Sequence, residues 1–294
     1  MTDPSHCTHA SIRRMGGTWV CNACGLETSS AAAFQAPTAP TSFTAPTAGR
    51  WSQVPIEGLV VWAVTLVASV VVAWLLPFVH FIFSTFGVLC HEIGHTVIAL
   101  ATGHLAIPSF DLLHGGGVTA IFDRSMWLVA LDLAIPCLIA YRYRQVRTIL
   151  IACAALVAVL VLLMLTGWDV PLGVEMGHGG QLVAAGICLY QALAGTNVVS
   201  PAERWIYGLL GWSVGMDVVT LAWSLIHDPD ALATYYEGKG GIDNDFVKLA
   251  EDSFNCSVAA VAWVNLLFCA LVPVIVVLWF LYVRPWLAAV RSEL

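Results

Sequence analysis

The sequence predicts an all-α, polytopic membrane protein with about six to seven transmembrane helices. Of its 294 residues, 59% are hydrophobic and only 11% are charged, whereas a soluble domain carries about 25% charged residues. The mean hydropathy is +0.82. Apolar runs of about 20 residues, the length that a helix needs to cross a bilayer, recur from Trp51 onward. These observations predict that most of the chain lies in a lipid bilayer.

The charge content also excludes several classes of protein. So few charges cannot cover the water-facing surface of an ordinary cytosolic enzyme, and a disordered chain would carry many more. The net charge of −7 argues against the basic surface that nucleic-acid binding requires. The partners that we expect are the lipid bilayer and a membrane-protein substrate or partner, and not a nucleic acid.

Residues 1–30 form a polar segment that contains cysteine and histidine and precedes the apolar runs. Its Cys-x-x-Cys-Gly sequence is typical of a thiolate knuckle, and four sulfur and nitrogen donors at this spacing suit tetrahedral Zn²⁺. The segment resembles a small zinc ribbon, which implies a closed, structural zinc site. The predicted ligands are Cys7, His9, Cys21 and Cys24, with His6 as an alternative to His9.

The N-terminal segment is expected to stay in the cytoplasm and to be followed by a linker. Residues 1–30 have no apolar core of the length that a signal peptide needs. Residues 31–50 contain Ala-Pro-Thr three times and have the composition of a linker. Residues 51–294 form the predicted multi-helix membrane domain.

Six apolar segments are the predicted membrane spans, namely 57–77, 80–102, 146–166, 181–198, 205–227 and 257–283. A seventh segment, 124–141, is ambiguous because it is short and contains Asp132 and Pro136. The positive-inside rule puts the basic stretch 142–147 in the cytoplasm if this segment does not fully cross. We therefore expect six full spans and one partial span, with the acidic loop 228–252 on the outer side.

A second metal-binding pattern lies inside the span 80–102, where residues 91–95 read His-Glu-Ile-Gly-His. On a helix, residues four apart share one face, so His91 and His95 can bind the same Zn²⁺ ion. Glu92 can then act as the general base that activates a metal-bound water. Burying three such groups in hydrocarbon is costly, which favours a functional role for them.

This motif within a membrane span resembles that of the site-2-protease-like intramembrane zinc metallopeptidases. In that family a glycine and a short β-like or re-entrant stretch follow the motif helix. Here Gly103 is followed by the turn-rich stretch 104–123, which predicts a hairpin. The third zinc ligand of the family is an Asp in an Asp-Gly-Gly motif. The matching stretch of this chain reads His-Gly-Gly at 178–180, with His178 in the place of the Asp.

The resemblance implies an endopeptidase that hydrolyses peptide bonds of membrane-embedded substrates with a zinc-activated water. It makes His178 the preferred third zinc ligand, because an imidazole can replace a carboxylate on zinc. Glu175 is the fallback. Asp217 is a further candidate, since an unpaired carboxylate in an apolar helix is expensive.

Three consecutive glycines in the predicted hairpin are candidate substrate-binding residues: Gly115, Gly116 and Gly117. A backbone without side chains can approach a ligand closely, or can form an exposed strand edge that pairs with an extended peptide. The alternative is that these glycines only make room for packing.

Two other functions fit the same residues. The chain contains two Glu-x-x-His motifs, at 92–95 and 175–178. Together with Asp132 and Asp217 they could hold two iron ions in a membrane oxidoreductase. The other possibility is a non-proteolytic membrane scaffold or complex subunit that keeps the metal for structure. We favour the zinc peptidase over the di-iron site, which would leave His91 without a role.

Overall fold

The computed structural model describes seven ranges of the chain, namely residues 12–15, 18–21, 27–28, 54–111, 116–196, 198–238 and 244–291. The chain divides into two compact units, 1–50 and 51–294.

The first unit contains a small antiparallel sheet. Its strands follow one another in the order β1 (Ile12–Met15), β2 (Thr18–Cys21) and β3 (Glu27–Thr28). Ile12 pairs with Cys21 across the first two strands, and Cys21 is buried. The other three predicted zinc ligands of this segment, and the linker 31–50, lie outside the described residues. The zinc ribbon therefore stays a prediction.

The second unit consists mainly of helices, interrupted by one hairpin. In chain order its elements are α1 (Ile56–Leu75), α2 (Pro77–Ala101), β4 (His104–Asp111), β5 (Gly116–Arg124), α3 (Met126–Arg142), α4 (Arg147–Thr166), α5 (Asp169–Ala194), α6 (Pro201–His227), α7 (Pro229–Glu237), α8 (Asp245–Lys248), a π-helical turn (Leu249–Phe254), α9 (Val258–Leu278), a second π-helical turn (Trp279–Val283) and α10 (Arg284–Arg291).

Five helical stretches within the described ranges are long and apolar enough to cross a membrane: α1, α2, α4, α6 and Val258–Leu287. They contain or closely match the predicted spans at 57–77, 80–102, 146–166, 205–227 and 257–283. Residues 181–194 of the predicted span 181–198 instead form the second half of α5, whose first half carries charged and polar residues. The ambiguous segment 124–141 forms α3, a helix of 17 residues. The chain is thus a predominantly helical protein with the helices of a membrane protein.

The outward faces of these helices are apolar. In α4 only Leu160 is buried, and Leu165 is 80% exposed. Large contiguous apolar surfaces are rare on soluble monomers and are typical of membrane contact. Since the backbone polar groups between the first and last turns of a helix bond within the helix, these stretches can face lipid without an unsatisfied donor or acceptor.

Helix α5 lies at the centre of the second unit and buries its second half against α1, α6 and α9. Leu189, Ala192 and Leu193 are buried almost completely. The indole Nε1 of Trp62 on α1 donates to the carbonyl oxygen of Leu189 at 2.8 Å. This packing fixes the position of α5 and, with it, the residues of its first half.

The first half of α5 meets α2 with backbone against backbone. A Cβ atom on Gly94 would lie 1.8 Å from the carbonyl oxygen of Met176, and one on Gly180 would lie 2.6 Å from that of Cys90. Neither position can hold a side chain at this separation of the helices. Small residues of this kind are what membrane helices use to approach closely. The contact brings the His-Glu-x-x-His face of α2 against residues 173–181.

The predicted hairpin at 103–123 is confirmed. β4 and β5 pair antiparallel, with Pro108 opposite Thr119. Gly103 turns the chain out of α2 with a φ of +85°, a conformation that favours glycine. At the far end of β5, Arg124 forms an ion pair with Asp169 in the first turn of α5. The hairpin is thereby held beside both α2 and α5.

The close approach of α2 and α5 predicts that two glycine-to-alanine substitutions differ in their effect on the free energy of unfolding. Gly94→Ala should lower the free energy of unfolding by about 1–3 kcal/mol, because the two backbones must separate. Gly215→Ala on α6 should not, since a Cβ there meets no atom within 4 Å and alanine is the better helix former. Thermal unfolding of both variants in detergent measures the difference. Equal midpoints would contradict the contact.

Candidate metal centre

His91 and His95 of α2 point to the same side of the helix, as their spacing predicts. Their Nε2 atoms are 3.1 Å apart, and the two rings meet edge to face. His95 is 8% exposed. Two imidazole nitrogens this close, in a buried place, form the beginning of a cation site.

His178 reaches the same place from α5. The centroid of its ring is 4.7 Å from that of His91 and 4.6 Å from that of Phe246. The preceding Gly177 makes the approach possible, because a Cβ on it would lie 2.5 Å from Nε2 of His95. The stretch that resembles the Asp-Gly-Gly motif therefore does lie against the His-Glu-x-x-His face.

Asp245 adds a carboxylate from α8, outside the five membrane-length helices. Its Oδ2 atom is 2.9 Å from Nε2 of His91 and 3.2 Å from Nε2 of His95. Burial on its own raises the pKa of the Asp245 carboxyl, but the hydrogen bonds and charges of His91 and His95 outweigh it and hold the pKa well below its usual value. Asp245 is therefore an anion facing two imidazoles.

The spacing of these donor atoms suits one small metal ion. A tetrahedral zinc site with bonds of about 2.0–2.1 Å has its donor atoms about 3.3 Å apart. The three distances among His91, His95 and Asp245 are 2.9, 3.1 and 3.2 Å. The ligand atoms of His91, His178 and Asp245 also lie within 4.8 Å of one another. Three imidazoles and a carboxylate are donors that zinc accepts readily.

The second nitrogen of each imidazole has an acceptor behind it. His95 Nδ1 is 2.7 Å from the carbonyl oxygen of Gly173. His178 Nδ1 is 2.9 Å and His91 Nδ1 is 3.4 Å from Oε1 of Gln181. A carbonyl oxygen can only accept, so Nδ1 of His95 carries a proton, and in the neutral ring its Nε2 presents a lone pair to Asp245. A lone pair that faces an anion requires a proton or a metal cation between them.

Glu92 is buried beside this set and is held by the hairpin. The Oγ1 hydroxyl of Thr119 on β5 donates to Oε2 of Glu92 at 2.6 Å. Gly117 lies against the same side chain, since a Cβ there would be 2.5 Å from Oε1 of Glu92. The predicted substrate-binding residue Gly117 thus makes room for the carboxylate. Gly116 begins β5, and Gly115 lies outside the described residues.

A cavity of about 820 Å³ opens in front of these groups. Such a volume is within the range of small-molecule binding sites. Its lining combines the proposed ligands, the start of β5 and polar residues of α6 to α8, among them His91, Glu92, His95, His178, Asp245, Gly116, Gly117, Ser224, Tyr235 and Lys248.

The other predicted ligands have different neighbours. Glu175 Oε2 is 3.4 Å from Nδ2 of Asn265 on α9. Asp217 lines the same cavity, but its Oδ1 atom is 3.7 Å from Nε2 of His80. Asp132 contacts the backbone of Gly103. The carboxylates that a di-iron site would share are thus directed to separate partners.

Asp245 was not among the residues that the sequence predicts as metal ligands. It is one of seven acidic residues between 228 and 252, and no spacing rule links it to His91. A local signal does exist, because Asp245 is followed by a short apolar run in which Phe246, Val247, Leu249 and Ala250 are buried. When an apolar run follows an acidic residue in an otherwise polar loop, the pattern indicates that this carboxylate is buried with the run.

Comparison of the chain with models of known protein families, with curated proteins and with solved structures finds no match.

The hydrogen bond between Thr119 and Glu92 yields a prediction on stability. Thr119→Val removes the hydroxyl at nearly constant volume and leaves a buried carboxylate oxygen without this donor, which should cost about 1–3 kcal/mol of unfolding free energy. Thr119→Ser keeps the hydroxyl and should cost much less. Unfolding of both variants in detergent provides the comparison. A Val variant as stable as the Ser variant would show that the bond does not hold Glu92.

Proposed function

We propose that the protein is a zinc-dependent intramembrane endopeptidase. The observation that carries this proposal is the cluster of His91, His95 and Asp245, which lies beside the buried carboxylate of Glu92 at a cavity. The resemblance of the His-Glu-x-x-His span to the site-2-protease-like metallopeptidases supports it. So does the position of the motif within a helix that is apolar enough to cross a membrane.

In this proposal His91, His95 and Asp245 would hold the catalytic zinc. Asp245 supplies the carboxylate that the family resemblance leads one to expect, although it comes from α8 and not from the stretch around residue 178. His178 lies next to the set as a further imidazole donor. A zinc ion held by these residues would supply Lewis acidity and would make water a stronger nucleophile near neutral pH.

Glu92 is the general base of the proposed reaction. It takes a proton from the attacking water and returns it to the amine that leaves, as the carboxylate of this motif can do. The hydroxyl of Thr119 holds one of its oxygens, so the other is the one that exchanges protons. Gly117 makes room for that second oxygen by having no side chain.

The proposed substrate is an extended segment of a membrane protein. Unfolded peptide enters such a site as a strand because an extended backbone exposes its carbonyl groups to attack and its edges to pairing. β5 begins with Gly116 and Gly117 at the lining of the cavity, where its backbone can pair with a peptide. In the proposed orientation the N-terminal unit and the basic stretch 142–147 are cytoplasmic.

A second candidate function is a membrane scaffold with a structural metal. One observation favours it, namely that His178 offers a fourth donor beside His91 and Asp245. Structural zinc sites are closed by four protein ligands, whereas catalytic sites keep one position for water.

Removal of Asp245 tests the ligand set. Asp245→Asn should lower the metal content of purified full-length protein by about one equivalent, because a neutral amide is a poor zinc ligand. Asp252→Asn, in the same acidic segment and exposed, is the matched control and should leave the metal content unchanged. Both are measured by elemental analysis. Equal metal content in the two variants would exclude Asp245 as a ligand.

Removal of the proposed base separates the two functions. Glu92→Gln should keep the metal and reduce cleavage of model transmembrane peptides by about 10²–10⁴-fold, the contribution of a general base. The amide oxygen can still accept from Thr119, so the fold is preserved. Wild-type protein that holds the metal and cleaves no peptide would contradict the peptidase and favour the scaffold.

A further inference from the structure

Gln181 of α5 touches two of the three imidazoles. It follows His178 by three residues on the same helix and is 8% exposed. Its side-chain oxygen Oε1 lies 2.9 Å from Nδ1 of His178 and 3.4 Å from Nδ1 of His91. One buried amide oxygen thus faces rings that are carried by two different helices.

The surroundings of the amide decide which of its two ends faces the rings. Nε2 of Gln181 and Oδ2 of Asp217 both border Gly87, at 3.3 and 3.8 Å from the position of a Cβ on that glycine. Oδ2 of Asp217 is buried without a hydrogen-bond partner in the described part of the chain. An amide nitrogen is favourable on the side of a carboxylate, and an amide oxygen there is not. The oxygen therefore belongs on the side of the imidazoles.

An oxygen in this position determines the tautomer of both rings. Because it can only accept, the Nδ1 atoms of His91 and His178 are the donors, and the lone pair of each neutral ring is left on Nε2. For His91, Nε2 is the atom that faces Asp245 and His95. For His95 the acceptor of the Nδ1 hydrogen bond is the backbone oxygen of Gly173, which no side-chain substitution removes.

We propose that Gln181 is a positioning residue of the metal centre, which accepts hydrogen bonds from His91 and His178 and so turns the Nε2 lone pairs of both toward one ion. This inference rests on the proposed metal site. It gives Gln181 a role that acts through the ligands and not through contact with substrate. Residues that orient metal-bound histidines in this way change metal affinity by about 10–100-fold when they are removed.

The chain offers two variants that separate hydrogen bonding from packing. Gln181→Leu keeps most of the volume and removes the acceptor. Gln181→Glu keeps an acceptor oxygen at the same distance along the side chain. Gln191→Leu, at a second glutamine of α5 that accepts from Thr196 outside the centre, controls for the loss of a glutamine on this helix.

The experiment measures Co²⁺ and Zn²⁺ affinity of the purified full-length protein by competition with a chelator. All variants carry Cys21→Ser and Cys24→Ser, which remove the predicted N-terminal zinc ligands. The d–d absorption of bound Co²⁺ reports the geometry of the remaining site. We expect Gln181→Leu to weaken binding by about 10–100-fold and to change the cobalt spectrum, with Gln181→Glu and Gln191→Leu close to wild type.

Two results would overturn the inference. Binding by Gln181→Leu as tight as that of wild type would show that the amide does not position the ligands. An equal loss in Gln181→Leu and Gln181→Glu would show that an acceptor oxygen at this position is not what maintains binding. Failure of the underlying metal site would look different, because wild-type protein and a His95→Ala variant would then bind the metal equally weakly.

Discussion

Where α2 and α5 cross, no side chain separates their backbones at Gly94 and Gly180, and the relative positions of the three imidazoles follow from this contact. Gly94 and Gly180 allow the approach, and Gly177 leaves space for the two imidazoles of α2. A wider separation of the helices would move His178 and Gln181 away from His91 by the same amount. Because helix pairs of this kind gain little from the hydrophobic effect inside lipid, close packing and interhelical hydrogen bonds must supply the association.

The polar groups of the centre stabilise one another in surroundings that would penalise each of them alone. Glu92 has the hydroxyl of Thr119, His95 has the carbonyl of Gly173, and Asp245 has two imidazoles. In a medium of low polarity, a buried group without a partner costs several kcal/mol, roughly, whereas a complete network is rigid. The set is therefore best understood as one cooperative unit, in which loss of a single member exposes the others to that cost.

Local patterns in the sequence predict those features of the site that depend only on residues close together in the chain. The His-Glu-x-x-His face needs only helical geometry, and the hairpin needs only turn residues after Gly103, so both could be found. The sequence does not predict the full length of α5. The first half of this helix is polar, so the apolar segment 181–198 has the pattern of a separate span. Asp245 and Thr119 depend on which surfaces meet in three dimensions, and no spacing within the chain records that.

Because Asp245 lies more than sixty residues after His178, the order of synthesis has a consequence for the donor set. During insertion of the chain, α2 and α5 can meet, and the three imidazoles can assemble, while residue 245 has not yet been made. The carboxylate follows only with α8, after α6 and α7 have been made. The complete set of donors is thus a property of the nearly finished chain, and a nascent chain that ends before α8 holds its three imidazoles without their anion.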